Sequence, residues 1–189
     1  MGSSSLLPSL LSMFFLLSPC LALTSEGRAL LAIKTKLVDP SDSLRRWSSS
    51  VVDPCDWSFV LCDKEGHVIQ LSMAYLNLSG TMAPEFGDLQ HLQFLDLFHN
   101  QIGGKIPAEM GKMKSLISIE LHENKLQGEI PKSFGNLKNL VTLKLYNNQL
   151  TGKVPKELKK LKHLKRFDAS GNHIHDQFIF ELKDIYKAT

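Results

Sequence analysis

Residues 91–162 fall into three rows: HLQFLDLFHNQIGGKIPAEMGKMK (91–114), SLISIELHENKLQGEIPKSFGNLK (115–138) and NLVTLKLYNNQLTGKVPKELKKLK (139–162). Asn100, Asn124 and Asn148 share one column, each 24 residues from the next. Leu92, Leu116 and Leu140 share another, as do Leu97, Leu121 and Leu145; so do Gly104, Gly128 and Gly152, and Pro107, Pro131 and Pro155. Each column has a physical task. Leu95 and Leu97 alternate with Asp96, so a short strand points two leucines inward and one polar side chain outward. A single row cannot bury that apolar edge. Stacked about 4.8 Å apart, the rows build a parallel sheet over one continuous core. The asparagine sits where the chain leaves the strand, where its amide serves backbone groups that are otherwise buried unpaired. Gly and Pro then shape the turn.

The period and the L-x-x-L-x-L-x-x-N-x-L pattern resemble the leucine-rich repeat. The fold expected is an α/β solenoid of five 24-residue rows with a disulfide-stapled N-terminal cap. The GKIP, GEIP and GKVP turns resemble the plant extracellular subclass of these repeats. That resemblance implies a plant source and a secreted or receptor setting.

The 189 residues are 43% hydrophobic, enough for one domain with a substantial core. A formal net charge of only +3 gives no reason to expect a nucleic-acid partner. Residues 1–22 read as a signal peptide, with an apolar run from Leu10 to Leu17 and small residues at Cys20-Leu21-Ala22. Pro8, Ser12, Ser18 and Pro19 interrupt that run, against a membrane anchor.

Residues 23–66 are expected to form the cap. Ser25 is placed to cap a helix whose Leu30, Ile33 and Leu37 share one face, and which ends at Asp39-Pro40. If cleavage follows Ala22, Cys55 and Cys62 remain, and an even pair in a secreted chain reads as a disulfide. The order E-G-x-A-L, L-x-D-P, W and D-P-C-x-W, running from Glu26 to Trp57, resembles the cap of plant leucine-rich-repeat receptors.

Residues 67–189 are expected to hold five repeats with a divergent C-terminal end. In the first row Leu76 occupies the asparagine column, and Asn77-Leu78-Ser79 is the chain's one glycosylation sequon. The last row keeps Leu164, Phe167, Ala169 and Asn172 in register, then loses its turn at His175 to Ile179. Phe178 to Ile185 suits an amphipathic capping helix. His173, His175 and Asp176 read as solvated polar residues in preference to a metal site. No pairing of groups for catalysis stands apart from the repeat pattern, so no enzyme and no cofactor are expected.

Function then falls to the variable strand positions on the concave side. One column reads Ala74, Phe98, His122, Tyr146, Ser170; another reads Gln70, Phe94, Ser118, Thr142, Arg166. Phe94, Phe98, His122 and Tyr146 are expected to form an exposed patch of rings that binds protein. His99 and Glu123 stand in equivalent columns, so a carboxylate is expected beside that imidazole, while burial under a partner favours neutral His122. From Glu26 through Asn172 the chain resembles the ectodomains of somatic embryogenesis receptor kinases and the short secreted leucine-rich-repeat proteins related to them. The resemblance implies aromatic contacts to a membrane receptor kinase or other cell-surface protein. Phe94, Phe98 and His122 stand where that family usually has tyrosine, and Phe59 lies one place later than its usual cap aromatic. With no kinase segment in the sequence, the resemblance points to the short secreted relatives, associated with plant defence signalling, in the apoplast or at the outer face of the plasma membrane.

Two alternatives stay open. Polygalacturonase inhibitors share the Gly-x-Ile-Pro repeat, so inhibition of a pathogen cell-wall hydrolase is one. Pectate or anionic-lipid binding is the other, through a basic ridge of Lys114, Lys138 and Lys162 with Lys153, Lys156, Lys159, Lys160, Lys165 and Arg166.

Overall fold

The computed structural model describes residues 23–51 and 53–175. The expected signal peptide, residue Asp176 and the expected helix at 178–185 lie outside those residues. In chain order the regular elements are α1 (Ser25–Lys36), β1 (Leu37–Val38), β2 (Val60–Cys62), β3 (Val68–Ser72), β4 (Ser79–Gly80) and β5 (Phe94–Asp96). There follow β6 (Gly103–Lys105), β7 (Ser118–Glu120), β8 (Lys125–Gly128), β9 (Thr142–Lys144), β10 (Gln149–Gly152), β11 (Arg166–Asp168) and β12 (His173–Ile174).

Two ladders run along the solenoid. Strands β3, β5, β7, β9 and β11 lie parallel in sequence order, in register column by column, and β2 closes one edge antiparallel to β3. A second parallel ladder joins β6, β8, β10 and β12, and short 3₁₀ turns such as Ala108–Lys112 connect the two. Leu95, Leu97, Ile119, Leu121, Leu143 and Leu145 are all buried, so the inward leucines of successive rows make one core.

The asparagine ladder explains why those rows cannot slide. Asn100 Nδ2 donates to the carbonyls of Met73 (2.8 Å) and Leu97 (3.0 Å), while Oδ1 accepts from the backbone N–H of Leu78 (2.9 Å). Asn124, Asn148 and Asn172 repeat the scheme, each reaching back into the preceding row. At Leu76, which holds the asparagine column in the first row, Asn100 Oδ1 also accepts from the Leu76 N–H (3.2 Å). Each turn then uses a left-handed residue that suits glycine, such as Gly128 at φ 73°.

The cap differs from the sequence expectation by one residue. Thr24, not Ser25, caps α1: its hydroxyl accepts from the Gly27 N–H at 3.0 Å. Ser25 is already the first helical residue. The helix also stops at Lys36, and Leu37 turns extended to pair with Gly80 before Asp39-Pro40 is reached. Leu30 and Ile33 are fully buried. Cys55 and Cys62 form a disulfide with their Cα atoms 5.6 Å apart. Beside it Trp47 and Trp57 stack at 5.8 Å, and their indole N–H groups donate to the Ser58 and Val51 carbonyls.

A candidate recognition surface on the concave sheet

The residues that alternate with the core leucines face the open side of the β3–β11 sheet. Because the strands are in register, each column becomes a line across the sheet. The Phe98 line carries a run of rings. Phe98 stacks on His122 at 4.6 Å and 8°, and His122 stacks on Tyr146 at 4.3 Å and 23°. Tyr75 meets Phe98 edge-on at 5.2 Å and lies 4.4 Å from the His99 ring.

The sequence-predicted residues fall into distinct places. Phe98, His122 and Tyr146 join in the run, and His99 stands at its margin. Phe94 is half-buried and makes no ring contact among the described residues, being four positions back from Phe98 and opposite Gln70 and Ser118. Phe59 lies at the sheet edge, where its carbonyl accepts from the Ser72 N–H at 3.0 Å. It is exposed and left-handed at φ 69°, apart from the run. His122 departs from the expected exposed ring: it is 6% exposed because neighbours cover both its faces. The run also contains a ring that sequence reasoning passed over. Tyr75 is 66% exposed and shares a column with His99 and Glu123, which is the signal that could have found it.

A second line crosses the sheet beside the rings: Ser72, Asp96, Glu120, Lys144, Asp168. Asp96 and Glu120 are directly opposed on adjacent strands, an arrangement that costs stability. Burial and then the Glu120 charge raise the Asp96 carboxyl above its ordinary range. Lys144 offsets part of the repulsion, at 3.0 Å from Glu120. His99 Nδ1 lies 2.6 Å from Glu123 Oε2, the neighbour its column predicts. Burial lowers the His122 pKa, and the nearby Glu120 opposes that shift. The face is therefore locally acidic on a chain whose formal charge is positive.

The basic ridge is partly committed elsewhere. Lys114 and Lys138 donate to the Gly111 and Gly135 carbonyls of their own turns, at 3.0 and 2.6 Å. Lys153, Lys156, Lys160, Lys162, Lys165 and Arg166 are exposed. Among the described residues Asp63, Glu65 and His67 lie close enough together to hold a metal. The Asp63 oxygens, however, already accept from the Glu65 and His67 N–H groups and meet the His67 ring, which accounts for the cluster as a tight turn. His173 and His175 are exposed.

Comparison with known proteins agrees with this architecture. A leucine-rich-repeat region model matches residues 63–184, and a leucine-rich-repeat N-terminal domain model matches residues 23–63. Leucine-rich repeat protein 1 of Oryza sativa subsp. indica is 46% identical over 74 residues, 39% of this chain and 35% of the relative. The chain thus spans about a third of the length of the curated relatives it matches. Among solved structures, a chain of the BIR3–SERK2 complex from Arabidopsis thaliana is 33% identical with a TM-score of 0.73, over 78% of this chain and 82% of that one. The BIR2 ectodomain from the same plant is 29% identical with a TM-score of 0.75, over 82% and 83%. Repeat pattern, asparagine ladder, stapled cap and these matches agree: the chain belongs to the leucine-rich-repeat family, with the fold of plant leucine-rich-repeat ectodomains.

Proposed function

We propose that the protein is a secreted, non-enzymatic recognition module that binds a cell-surface receptor or signalling partner through its concave face. The observation that carries this reading is the stack Phe98–His122–Tyr146, held on a rigid sheet beside Asp96, Glu120 and Glu123. Stacked rings present large, flat, preordered area at small entropic cost, the character of a binding hot spot. The opposed carboxylates suit a partner that brings a lysine or arginine to them. Similar ectodomains have been solved in company: BIR3 with SERK2, and the receptor kinase HAESA with a peptide hormone and the co-receptor SERK1. No helix among the described residues is long and apolar enough to cross a membrane. A role in defence or developmental signalling extends the same reading.

The test is affinity capture from plant plasma-membrane extract, with the mature chain immobilised. A receptor ectodomain is expected to be retained, and Phe98→Ala with Tyr146→Ala to lose it at unchanged thermal stability. Truncating one hot-spot ring typically costs about 2 kcal/mol or more, some thirtyfold in affinity. Retention that ignores both substitutions, or that yields only a cell-wall hydrolase, would count against the concave-face reading.

A further inference from the structure

At one end of the ring run the concave rim holds a shallow pocket of about 490 Å³, lined by Tyr75, Asn77, His99, Asn100, Gln101 and Glu123. One wall is the Tyr75 ring, the most exposed large apolar side chain among the described residues. The other walls are amides, an imidazole and a carboxylate. A flat apolar ring flanked by amide and carboxylate groups is what a hexose needs: its carbon face lies on the ring and its hydroxyls reach the polar atoms.

One of those walls is the asparagine of the sequon Asn77-Leu78-Ser79. Asn77 is exposed and left-handed at φ 54°, as Tyr75 is at φ 60°. The chain is held on both sides of that position. Leu78 is fully buried, and Ser79 pairs with Val38 in the ladder of β1 and β4. Gln101 Nε2 donates to Asn77 Oδ1 at 2.6 Å, which fixes the amide. Its Nδ2, the nitrogen that would bear a sugar, bonds nothing among the described residues.

We infer that Asn77 carries an N-linked oligosaccharide whose first sugar rests against Tyr75 in this rim pocket. The donor is a lipid-pyrophosphate-linked oligosaccharide of the secretory pathway. The Asn77 Nδ2–carbon bond forms at the anomeric carbon as the carbon–oxygen bond to pyrophosphate breaks, and the amide gives up one proton. The glycan then fills the Tyr75 end of the face and leaves Phe98, His122 and Tyr146 to the protein partner. The inference rests on secretion as proposed above, and adds a ligand for a pocket that reading left empty.

The experiment expresses the full chain in a eukaryotic secretory host and weighs the protein recovered from the medium. The parent is expected to exceed its polypeptide mass by one glycan, and Asn77→Gln and Ser79→Ala each to lose it. Tetranitromethane nitration, mapped by peptide, then reads the pocket. Tyr75 is expected to react several-fold more slowly in the glycosylated parent than in either variant, with Tyr146 reacting alike in all three. Protection that survives trimming to the first sugar assigns that sugar to the pocket. A secreted chain unmodified at Asn77 overturns the inference and leaves concave-face recognition standing. A glycan that leaves Tyr75 as reactive as in the variants overturns its seating, and a chain that never reaches the medium overturns secretion and this inference together.

Discussion

The His122 ring lies between Phe98 and Tyr146 with its Nδ1 buried and without a hydrogen-bond partner among the described residues. Removing the imidazole from water disfavours its charged form, and Glu120, Glu123 and Asp168 recover only part of that loss. A histidine whose folded pKa is depressed binds its proton first in the unfolded chain. Its contribution is complete above the unfolded value of about 6.5 and is lost as pH falls through the lower folded value. Asp96, raised above its ordinary range, acts with the opposite sign near the carboxylate range of about 4. Urea unfolding at about pH 7, and again at a pH below the unfolded histidine value of about 6.5 but above the ordinary carboxylate range of about 4, reads the histidine contribution. The parent is expected to lose stability on acidification, and His122→Gln to lose less. Equal losses would show that His122 is not the group responsible.

Within each row the strand and the 3₁₀ turn impose different limits on their side chains. Strand positions facing the cleft tolerate Phe98, His122 and Tyr146 alike, because rings in adjacent rows stack on one another there without any backbone standing in their way. The turns on the opposite side do not. A Cβ added at Gly87, Gly111 or Gly135 would stand 2.6, 2.6 or 2.7 Å from the carbonyl oxygen of Glu109, Ser133 or Glu157 in the following turn. These contacts are to backbone, so relief requires the rows to move apart. Gly111→Ala is therefore expected to cost about 1–3 kcal/mol, as overpacking of a tight core does. The exposed neighbour substitution Lys112→Ala should fall within about 0.5 kcal/mol. Denaturant titration of both variants checks this, and a neutral Gly111→Ala would mean the turns are looser than their packing indicates.

Across the whole molecule stability is passed from row to row, since each row touches mainly its neighbours. The cap end is tied in more tightly than its sequence announces. Glu26, from α1, is buried and accepts from the Val68 N–H of β3 at 2.9 Å. Its other oxygen lies 3.2 Å from His91 Nδ1, and His91 stacks on His67 at 3.8 Å. The Cys55–Cys62 bridge holds β2 against this assembly. Closing that short loop is worth about 2.5 kcal/mol in the chain-entropy model. Replacing both cysteines with serine should lower unfolding stability by about that amount. Amide exchange should then rise first in β2 and β3 and last in β9, because the loss begins at one end. Uniform acceleration across all strands would argue against row-by-row transmission.

The 24-residue period determined the solenoid from sequence alone, because leucine, asparagine, glycine and proline each answer a local demand of one turn and recur whenever the turn does. His99 and Glu123 were legible as neighbours for the same reason: equal columns become adjacent strands. The Cys55–Cys62 pair was legible from its count and spacing. What depends on side-chain direction and on contact across rows was decided only by the tertiary structure. Phe94 shares the concave face and so reads as part of the ring patch, but Gln70 and Ser118 stand opposite it and the structure leaves it apart. Tyr75 shares its column with His99 and Glu123, but its edge-on contact with Phe98 joins it to the ring run from a neighbouring column, which no column records. His122 read as exposed, and it is buried because Phe98 and Tyr146 close over it. The burial of Glu26 under the first two rows joins residues 42 and 65 positions apart, a separation that no local pattern records.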